Sequence, residues 1–201
     1  VFMGMGEPLM NYKHLMGSIA KITQPDGLGM SPSRITISTS GIPKMIKKLA
    51  DENIKFGLAV SLHSARQEVR KQLMPFAEKF PLTDLADSLK YWYEATSSLV
   101  TYEYVVWKDI NDKQEDIDAL VKFCMHVPCK VNLIEYNPID GEPFQQADTL
   151  KVEKFAAFLE SKNLIVNIRR SRGKDIDAAC GQLANKNKAI ALESRSLKNN
   201  L

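Results

Sequence analysis

Strand-like and helix-like segments alternate along this chain of 201 residues, and this alternation limits the possible folds more than any other feature. Apolar residues at helical spacing separate short runs rich in branched and aromatic residues. The predicted strands end at Met3 or span 34–38, 55–61, 99–107, 130–134 and 164–168. The predicted helices follow Asn11 and Thr83 or span 42–49, 66–73, 114–124 and 152–159.

Each predicted strand is joined to the next by a helical segment long enough to be a crossover, which predicts parallel strands with helices packed outside them. The leading prediction is therefore an α/β fold, a partial (β/α)6 TIM-like barrel. An open, doubly wound sheet is the alternative. No composition break or repeat requires a second folded domain.

The composition, 44% hydrophobic and 25% charged, is that of a globular domain with a substantial core. Every apolar run is interrupted by a charge, Pro or Gly, which argues against a membrane span. The sequence contains no secretory signal pattern, so we expect a cytoplasmic protein. The chain starts with Val1-Phe2-Met3, which is typical of the end of a buried strand, so we expect it to be part of a longer protein.

The net charge of +3 is unevenly distributed along the chain. From Arg169 onward there are eight Lys and Arg residues against three acidic ones. Such a basic end suits a phosphate-rich partner, and a solvated tail is equally compatible with the charge alone. We predict one folded unit over 1–183 and a polar, basic tail over 184–201.

Three cysteines, Cys124, Cys129 and Cys180, indicate free thiols in a reducing compartment. The spacing of Cys124 and Cys129 matches no usual zinc or iron–sulfur motif, so both are predicted to lie in or near the core. Cys180 lies in a small-residue segment after several cationic residues, which would lower a thiol pKa and favour the reactive thiolate. An inert Cys180 is the competing interpretation.

In parallel α/β folds, ligands bind at the carboxyl ends of the strands. Small or polar groups follow all six predicted strands, which favours a polar small-molecule site. These strand ends are Gly6-Glu7, 38–41, 61–63, 109–111, Asn137-Pro138 and Arg169-Arg170.

Two of these strand ends allow more than one interpretation. Gly4-Met5-Gly6 is not a dinucleotide fingerprint, because Glu7-Pro8 follows where a helix and a third glycine are needed. Glu7 could pair with an ammonium group or simply belong to a turn. His63 could be a general base, although no Ser–His–Asp arrangement supports it, or a histidine with satisfied hydrogen bonds at the rim.

Several motifs together resemble one family. Gly4-Met-Gly-Glu-Pro-Leu-Met-Asn11 resembles the GEP motif with which radical-SAM enzymes bind S-adenosylmethionine (SAM). Ile37-Ser-Thr-Ser-Gly41, Ala59-Val-Ser-Leu-His63 and Asn132-Leu-Ile-Glu-Tyr-Asn-Pro138 follow in the order of the RlmN-type RNA adenine-C2 methyltransferases, which modify 23S rRNA and tRNA. The segment 175–183 resembles the part of that family that carries its methyl-accepting cysteine.

The resemblance implies a role for each matching residue. Gly6 and Glu7 would bind the SAM amino group, and further SAM contacts would come from Ser38, Ser61, Leu62, His63 and Asn137. Cys180 would be the catalytic residue and take a methyl group from one SAM by displacement. A [4Fe-4S] cluster would cleave a second SAM to a radical that removes a hydrogen from this methyl group, and the methyl carbon would then add to adenine.

The sequence departs from the family pattern in one respect. The CxxxCxxC loop that binds the cluster and the family's second cysteine are absent from these 201 residues. We therefore expect the cluster ligands elsewhere in a longer protein, and no turnover by this chain alone. A cellular electron donor is implied as a partner, and a dimer through an exposed sheet edge is possible.

Three alternatives remain open from the sequence. They are a Cfr-type adenine-C8 methyltransferase, a non-radical metabolic (β/α)-barrel enzyme that uses Glu7 and His63, and a noncatalytic RNA-binding module.

Overall fold

A computed structural model describes residues 1–3, 6–52, 55–138 and 143–170. Cys180, the boundary near 183 and the basic tail lie outside these described residues, so the predictions on them remain predictions.

Five strands and six α-helices alternate along the described residues. The strands are β1 (Thr36–Thr39), β2 (Gly57–Ser61), β3 (Val100–Val106), β4 (Cys129–Glu135) and β5 (Ile165–Arg169). The helices are α1 (Tyr12–Thr23), α2 (Pro43–Asp51), α3 (Gln67–Leu73), α4 (Leu82–Thr96), α5 (Gln114–Cys124) and α6 (Thr149–Glu160). Short 3-10 turns cover Pro8–Asn11, Pro32–Arg34 and Pro75–Lys79.

The sheet is entirely parallel, and its strands lie side by side in sequence order, β1-β2-β3-β4-β5. Because parallel crossovers are right-handed, an unchanging direction of travel places every connecting helix on the same face of the sheet. A doubly wound sheet instead reverses direction and carries helices on both faces. The order of the strands therefore confirms the partial TIM-like barrel and excludes the alternative.

The predicted first strand is reduced to a single parallel bridge between Phe2 and Ile37. Phe2 donates its N–H to the Thr36 carbonyl at 2.8 Å and accepts from the Ser38 N–H at 3.0 Å. The segment at Phe2 therefore lies beside β1 and runs parallel to it, as expected for the first strand. Among the described residues the six predicted strands become five strands and one bridge.

The face of the sheet that the helices cover forms the hydrophobic core. Alternate residues of the central strands, such as Tyr102, Tyr104 and Leu133, are completely buried there. Trp92 of α4 packs against Phe56, with ring centroids 5.7 Å apart. Burial of this apolar face is the main source of stability, at about 25 cal/mol per Å² of apolar surface.

The start of α1 differs from the sequence-based prediction. Asn11 occupies the position before the helix, but its side chain makes no capping hydrogen bond. A 3-10 turn that begins at Pro8 precedes α1, and the Glu7 side chain caps this turn by accepting from the Leu9 N–H. None of the helices in the described residues is both long and apolar enough to cross a membrane.

Candidate functional site

Glu7 connects the segment before α1 to the carboxyl end of β1. Its Oε1 accepts from the Leu9 N–H at 3.0 Å and from Thr39 Oγ1 at 2.9 Å. Its Oε2 accepts from both the N–H and the Oγ of Ser40, each at 2.7 Å. Two donors to each oxygen occupy the four lone-pair positions of a carboxylate. Glu7 therefore fixes the Gly6-Glu7 turn against the end of β1.

His63 follows β2 with a left-handed backbone, φ 57°. Its Nδ1 accepts from the Val105 N–H at 3.2 Å, which leaves the proton of the neutral ring on Nε2. The ring packs edge-on against Trp107, with centroids 5.5 Å apart. Burial, together with the smaller effect of the positive charge of Arg70, lowers the pKa of His63 to about 4. At neutral pH His63 is thus a weak base that can donate from Nε2, as expected of a rim histidine.

Asn111 joins the loop after β3 to the end of β2, and its side chain is fully buried. Its Nδ2 donates to the carbonyls of His63 at 2.6 Å and Val105 at 2.8 Å, while its Oδ1 accepts from the Trp107 N–H at 2.8 Å. The 109–111 segment was predicted to lie at the rim, and the structure gives Asn111 the role of supporting His63.

Arg70 of α3 lies behind the ends of β1 and β2. Its side chain is fully buried, its Nη2 donates to the Ser40 carbonyl at 2.7 Å, and its Nε donates to the Leu62 carbonyl at 3.2 Å. No sequence pattern indicates this contact, because Arg70 is 30 residues from Ser40 and has the spacing of an ordinary helical residue.

A row of polar side chains crosses the sheet on the face opposite the helices. Ser61, Glu103, Asn132 and Asn167 lie at the same level in adjacent strands. Asn132 donates to Glu103 at 2.8 Å and Asn167 donates to Asn132 at 3.2 Å. Arg169 pairs with Glu103 at 3.2 Å. We did not single out this row from the sequence, although polar and apolar residues alternate visibly in β3, β4 and β5.

The remaining predicted site residues differ in what they expose. Ser38 and Asn137 are buried, Ser61 is half-buried and Gly6 is exposed. The Leu62 side chain lies in the core, its N–H donates to the Glu103 carbonyl, and its own carbonyl accepts from Ser64 and Arg70. Leu62 thus anchors the segment that presents Ser61 and His63. A cavity of about 430 Å³ borders Gly6, Glu7, Phe2 and α1, away from the other predicted site residues.

Cys124 and Cys129 are buried, as predicted. Cys124 ends α5 and Cys129 begins β4, so both lie at the amino-terminal end of the strands, opposite the rim. Among the described residues, no group of three or more His, Cys, Asp or Glu side chains could hold a metal ion. The side chains that the structure describes therefore do not fit an iron–sulfur cluster.

No family model matches the chain. The chain is nevertheless similar to proteins named "Probable dual-specificity RNA methyltransferase RlmN". It is 68% identical to the one from Christiangramia forsetii over 186 residues, 92% of this chain and 53% of that protein. It is 63% identical to the one from Flavobacterium psychrophilum, again over 92% of this chain and 54% of that protein. The chain thus spans about half the length of the curated relatives it matches.

A crystal structure of a radical SAM methyltransferase from Sphaerobacter thermophilus shares 35% identity with this chain. It matches with a TM-score of 0.86 over 90% of this chain and 53% of that one. A domain of a pyruvate-formate lyase-activating enzyme from Bacteroides vulgatus, 17% identical, matches with a TM-score of 0.64 over 84% of this chain and 96% of that one, which shows a shared fold. The matches to the proteins named RlmN and to the radical SAM methyltransferase confirm the resemblance that the motifs indicated.

Proposed function

We propose that this chain, which resembles the RlmN-type enzymes over nine-tenths of its length, forms the SAM-binding half of a radical-SAM RNA methyltransferase. The activity would be methylation of C2 of an adenine in 23S rRNA and in tRNA. The observation that carries the proposal is the polar rim, in which the Gly6-Glu7 turn and the ends of β1 and β2 are fixed to one another by hydrogen bonds.

Within this rim, each segment would meet a different part of SAM. Because the Glu7 carboxylate already accepts four hydrogen bonds, we propose that the backbone carbonyls of Gly6 and Glu7 accept from the SAM amino group. The Glu7 carbonyl already accepts from the Met10 N–H at 3.0 Å and would use its second lone pair for this contact. Ser38, Ser61 and Asn137 would contact the rest of SAM through their side chains, and His63 would donate from Nε2. Leu62 would act by anchoring Ser61 and His63, since its side chain lies in the core and its backbone groups are already engaged.

Cys180 would be the methyl carrier and the catalytic residue. A thiolate displaces a methyl group from a sulfonium directly, whereas the electron-poor C2 of adenine does not. The cationic residues shortly before Cys180 support a lowered thiol pKa, and they are Arg169, Arg170, Arg172 and Lys174. All eight cationic residues from Arg169 onward support binding of an RNA phosphate backbone. SAM, when cleaved reductively, supplies radical chemistry. The described residues do not fit the cluster that this cleavage needs, so its ligands are proposed to come from another part of the protein.

The proposed partners follow from this activity. They are 23S rRNA and tRNA as substrates and a cellular electron donor, in the cytoplasm. The segment at Phe2 forms the outermost pairing on its side of the described sheet, and unpaired edges recruit further strands. We therefore also propose that a second copy can dimerise through this edge.

The decisive experiment uses a protein of the full length of the relatives, reconstituted anaerobically, with SAM and an unmodified RNA. We expect 2-methyladenosine among the digested nucleosides. Only 8-methyladenosine would support the Cfr-type alternative, and no SAM binding would favour the metabolic enzyme or the RNA-binding module.

Two cysteine variants test the carrier in the same assay. Cys180→Ala should form no product, because the methyl group has no acceptor. Cys124→Ala is the matched control, since Cys124 is buried near the amino-terminal end of the strands, away from the rim. This variant should leave product formation intact. Product from Cys180→Ala would contradict the assignment.

A further inference from the structure

Arg70 places a positive charge where a globular core normally has an apolar side chain. The guanidinium is fully buried, and within the described part of the chain no carboxylate pairs with it. Burial lowers its pKa to about 10, and its Nη1 finds no hydrogen-bond partner among the described residues. An unpaired buried charge costs several kcal/mol, so an apolar residue of similar shape is expected to be no less stable at such a place.

The two hydrogen bonds that Arg70 does make have a common feature. The Ser40 carbonyl belongs to the loop after β1, and the Leu62 carbonyl belongs to the segment after β2. A planar guanidinium presents several N–H donors in fixed directions, so it can hold both carbonyls at a set distance from each other.

The surroundings of the guanidinium leave no room for a looser arrangement. Gly41 has φ 96°, and a Cβ at this position would lie 3.0 Å from the Leu85 side chain and 3.4 Å from Arg70 Nη2. The loop after β1 therefore packs directly on the guanidinium.

We propose that Arg70 is a positioning residue of the SAM site, which sets the geometry of residues 38–41 relative to residues 61–63 without touching the ligand. This inference rests on the proposed function. The position of Ser40 in turn affects Glu7, because the N–H and the Oγ of Ser40 both donate to Glu7 Oε2. Leu62 carries it to His63, the next residue in the chain.

Two variants in the full-length, reconstituted protein test this role. Arg70→Met removes both donors at similar side-chain length, and Arg70→Lys keeps the charge and three N–H donors but lacks the planar fork that fixes the directions of the two hydrogen bonds. We expect SAM affinity to fall at least about tenfold in Arg70→Met and less in Arg70→Lys, since small misplacements of binding groups are costly. The affinity for RNA should stay unchanged in both.

Lys71→Met is the matched control, because Lys71 is the next residue of α3 and pairs only with the exposed Glu68 at 2.9 Å in the described structure. It should bind SAM like the parent protein. If folded Arg70→Met also binds SAM like the parent, the proposal is wrong. If Arg70→Met does not fold, normal SAM binding by Arg70→Lys overturns it. A parent protein that binds no SAM overturns the proposed function, and this inference with it.

A spectroscopic readout tests whether the buried charge of Arg70 lies close to His63 in the folded protein. The positive charge of Arg70 contributes to the low pKa of His63, so Arg70→Met should raise that pKa while burial still keeps it below the usual value. NMR titration of the imidazole signals can resolve this in the 201-residue chain, which has three histidines. An unchanged His63 titration would show that the guanidinium does not act on this segment.

Discussion

At the scale of single residues, the Glu7 carboxylate both caps the 3-10 turn before α1 and binds the end of β1 and the loop after it. Four donors converge on it from the 3-10 turn and from the loop after β1. Hydrogen bonds to a charged group are among the stronger ones in proteins, because the ionised acceptor attracts each donor more than a neutral oxygen does.

Glu7→Gln keeps the shape of the side chain but replaces one acceptor oxygen with an NH2 group, which must then face a donor. We expect the free energy of unfolding in urea to fall by about 2 kcal/mol. Glu68→Gln is the control, since this carboxylate is exposed on α3 and should change stability by less than about 0.5 kcal/mol. Equal urea midpoints for Glu7→Gln and the parent would show that the four contacts contribute little.

His63 makes stability depend on pH in a definite direction. Its pKa is about 4 in the folded protein and near 6.5 when unfolded, so between these values the unfolded chain binds one more proton. Stability must therefore decrease as the pH falls from 6.5 to 4, by up to about 1.4 kcal/mol per pH unit, with no further loss from this group below pH 4.

His63→Asn should remove this contribution, because the Asn amide does not titrate. Asn suits the position, since it tolerates a left-handed backbone and offers an acceptor near the position of Nδ1. Denaturation midpoints at pH 7 and pH 4.5 for both proteins measure it. The difference between the two pH values should be smaller in the variant, and an equal difference would assign the acid sensitivity to other groups.

At the scale of elements, the rim depends on side chains that connect one strand end to the next. The fully buried amide of Asn111 connects the end of β3 to the segment after β2. It makes one hydrogen bond with His63 after β2 and one each with Val105 and Trp107 at the end of β3. Asn111→Ala would leave two carbonyls and one N–H without their partner. We expect a loss of about 3 kcal/mol in the free energy of unfolding, together with weaker SAM binding, because His63 loses its support.

Gln114→Ala provides the comparison for Asn111→Ala. Gln114 begins α5 a few residues further along, and its side chain bonds only the exposed Asp118 in the described structure, at 3.0 Å. The urea midpoint of Gln114→Ala should stay near that of the parent protein. A similar loss in both variants would mean that the loop, and not the amide, determines stability.

The sequence predicted these elements well wherever periodicity was long enough. The helix predicted over 114–124 coincides with α5, and the strand predicted over 99–107 contains β3. Errors arose where local backbone chemistry intervenes. The strand predicted over 34–38 begins at Thr36, because Pro32–Arg34 forms a 3-10 turn, and Asn11 does not cap α1, because Glu7 caps the turn before it.

At the scale of the whole molecule, the strand order decided what the sequence had left open. Alternation predicts parallel strands but not the direction in which each crossover travels, so the doubly wound sheet remained an alternative to the leading prediction of a barrel. The same holds for the site. Strand ends can be read along the chain, whereas the contact of Arg70 with Ser40 and the row from Ser61 to Asn167 arise only when distant segments meet.

The last prediction concerns cluster assembly by the 201-residue chain alone. A site with three cysteine ligands needs all three thiols at one place. The chain has three cysteines. Cys124 and Cys129 are buried where α5 ends and β4 begins, at the end of the strands opposite the rim. Anaerobic reconstitution with iron and sulfide should therefore give no stoichiometric charge-transfer absorbance of an iron–sulfur cluster, whereas a full-length relative treated in parallel should show it. SAM affinity should also be lower in the chain alone, because the SAM amino and carboxylate groups lack an iron to bind. A full complement of iron and sulfide in this chain would show that other residues assemble a cluster and would contradict the assignment of its ligands to another part of the protein.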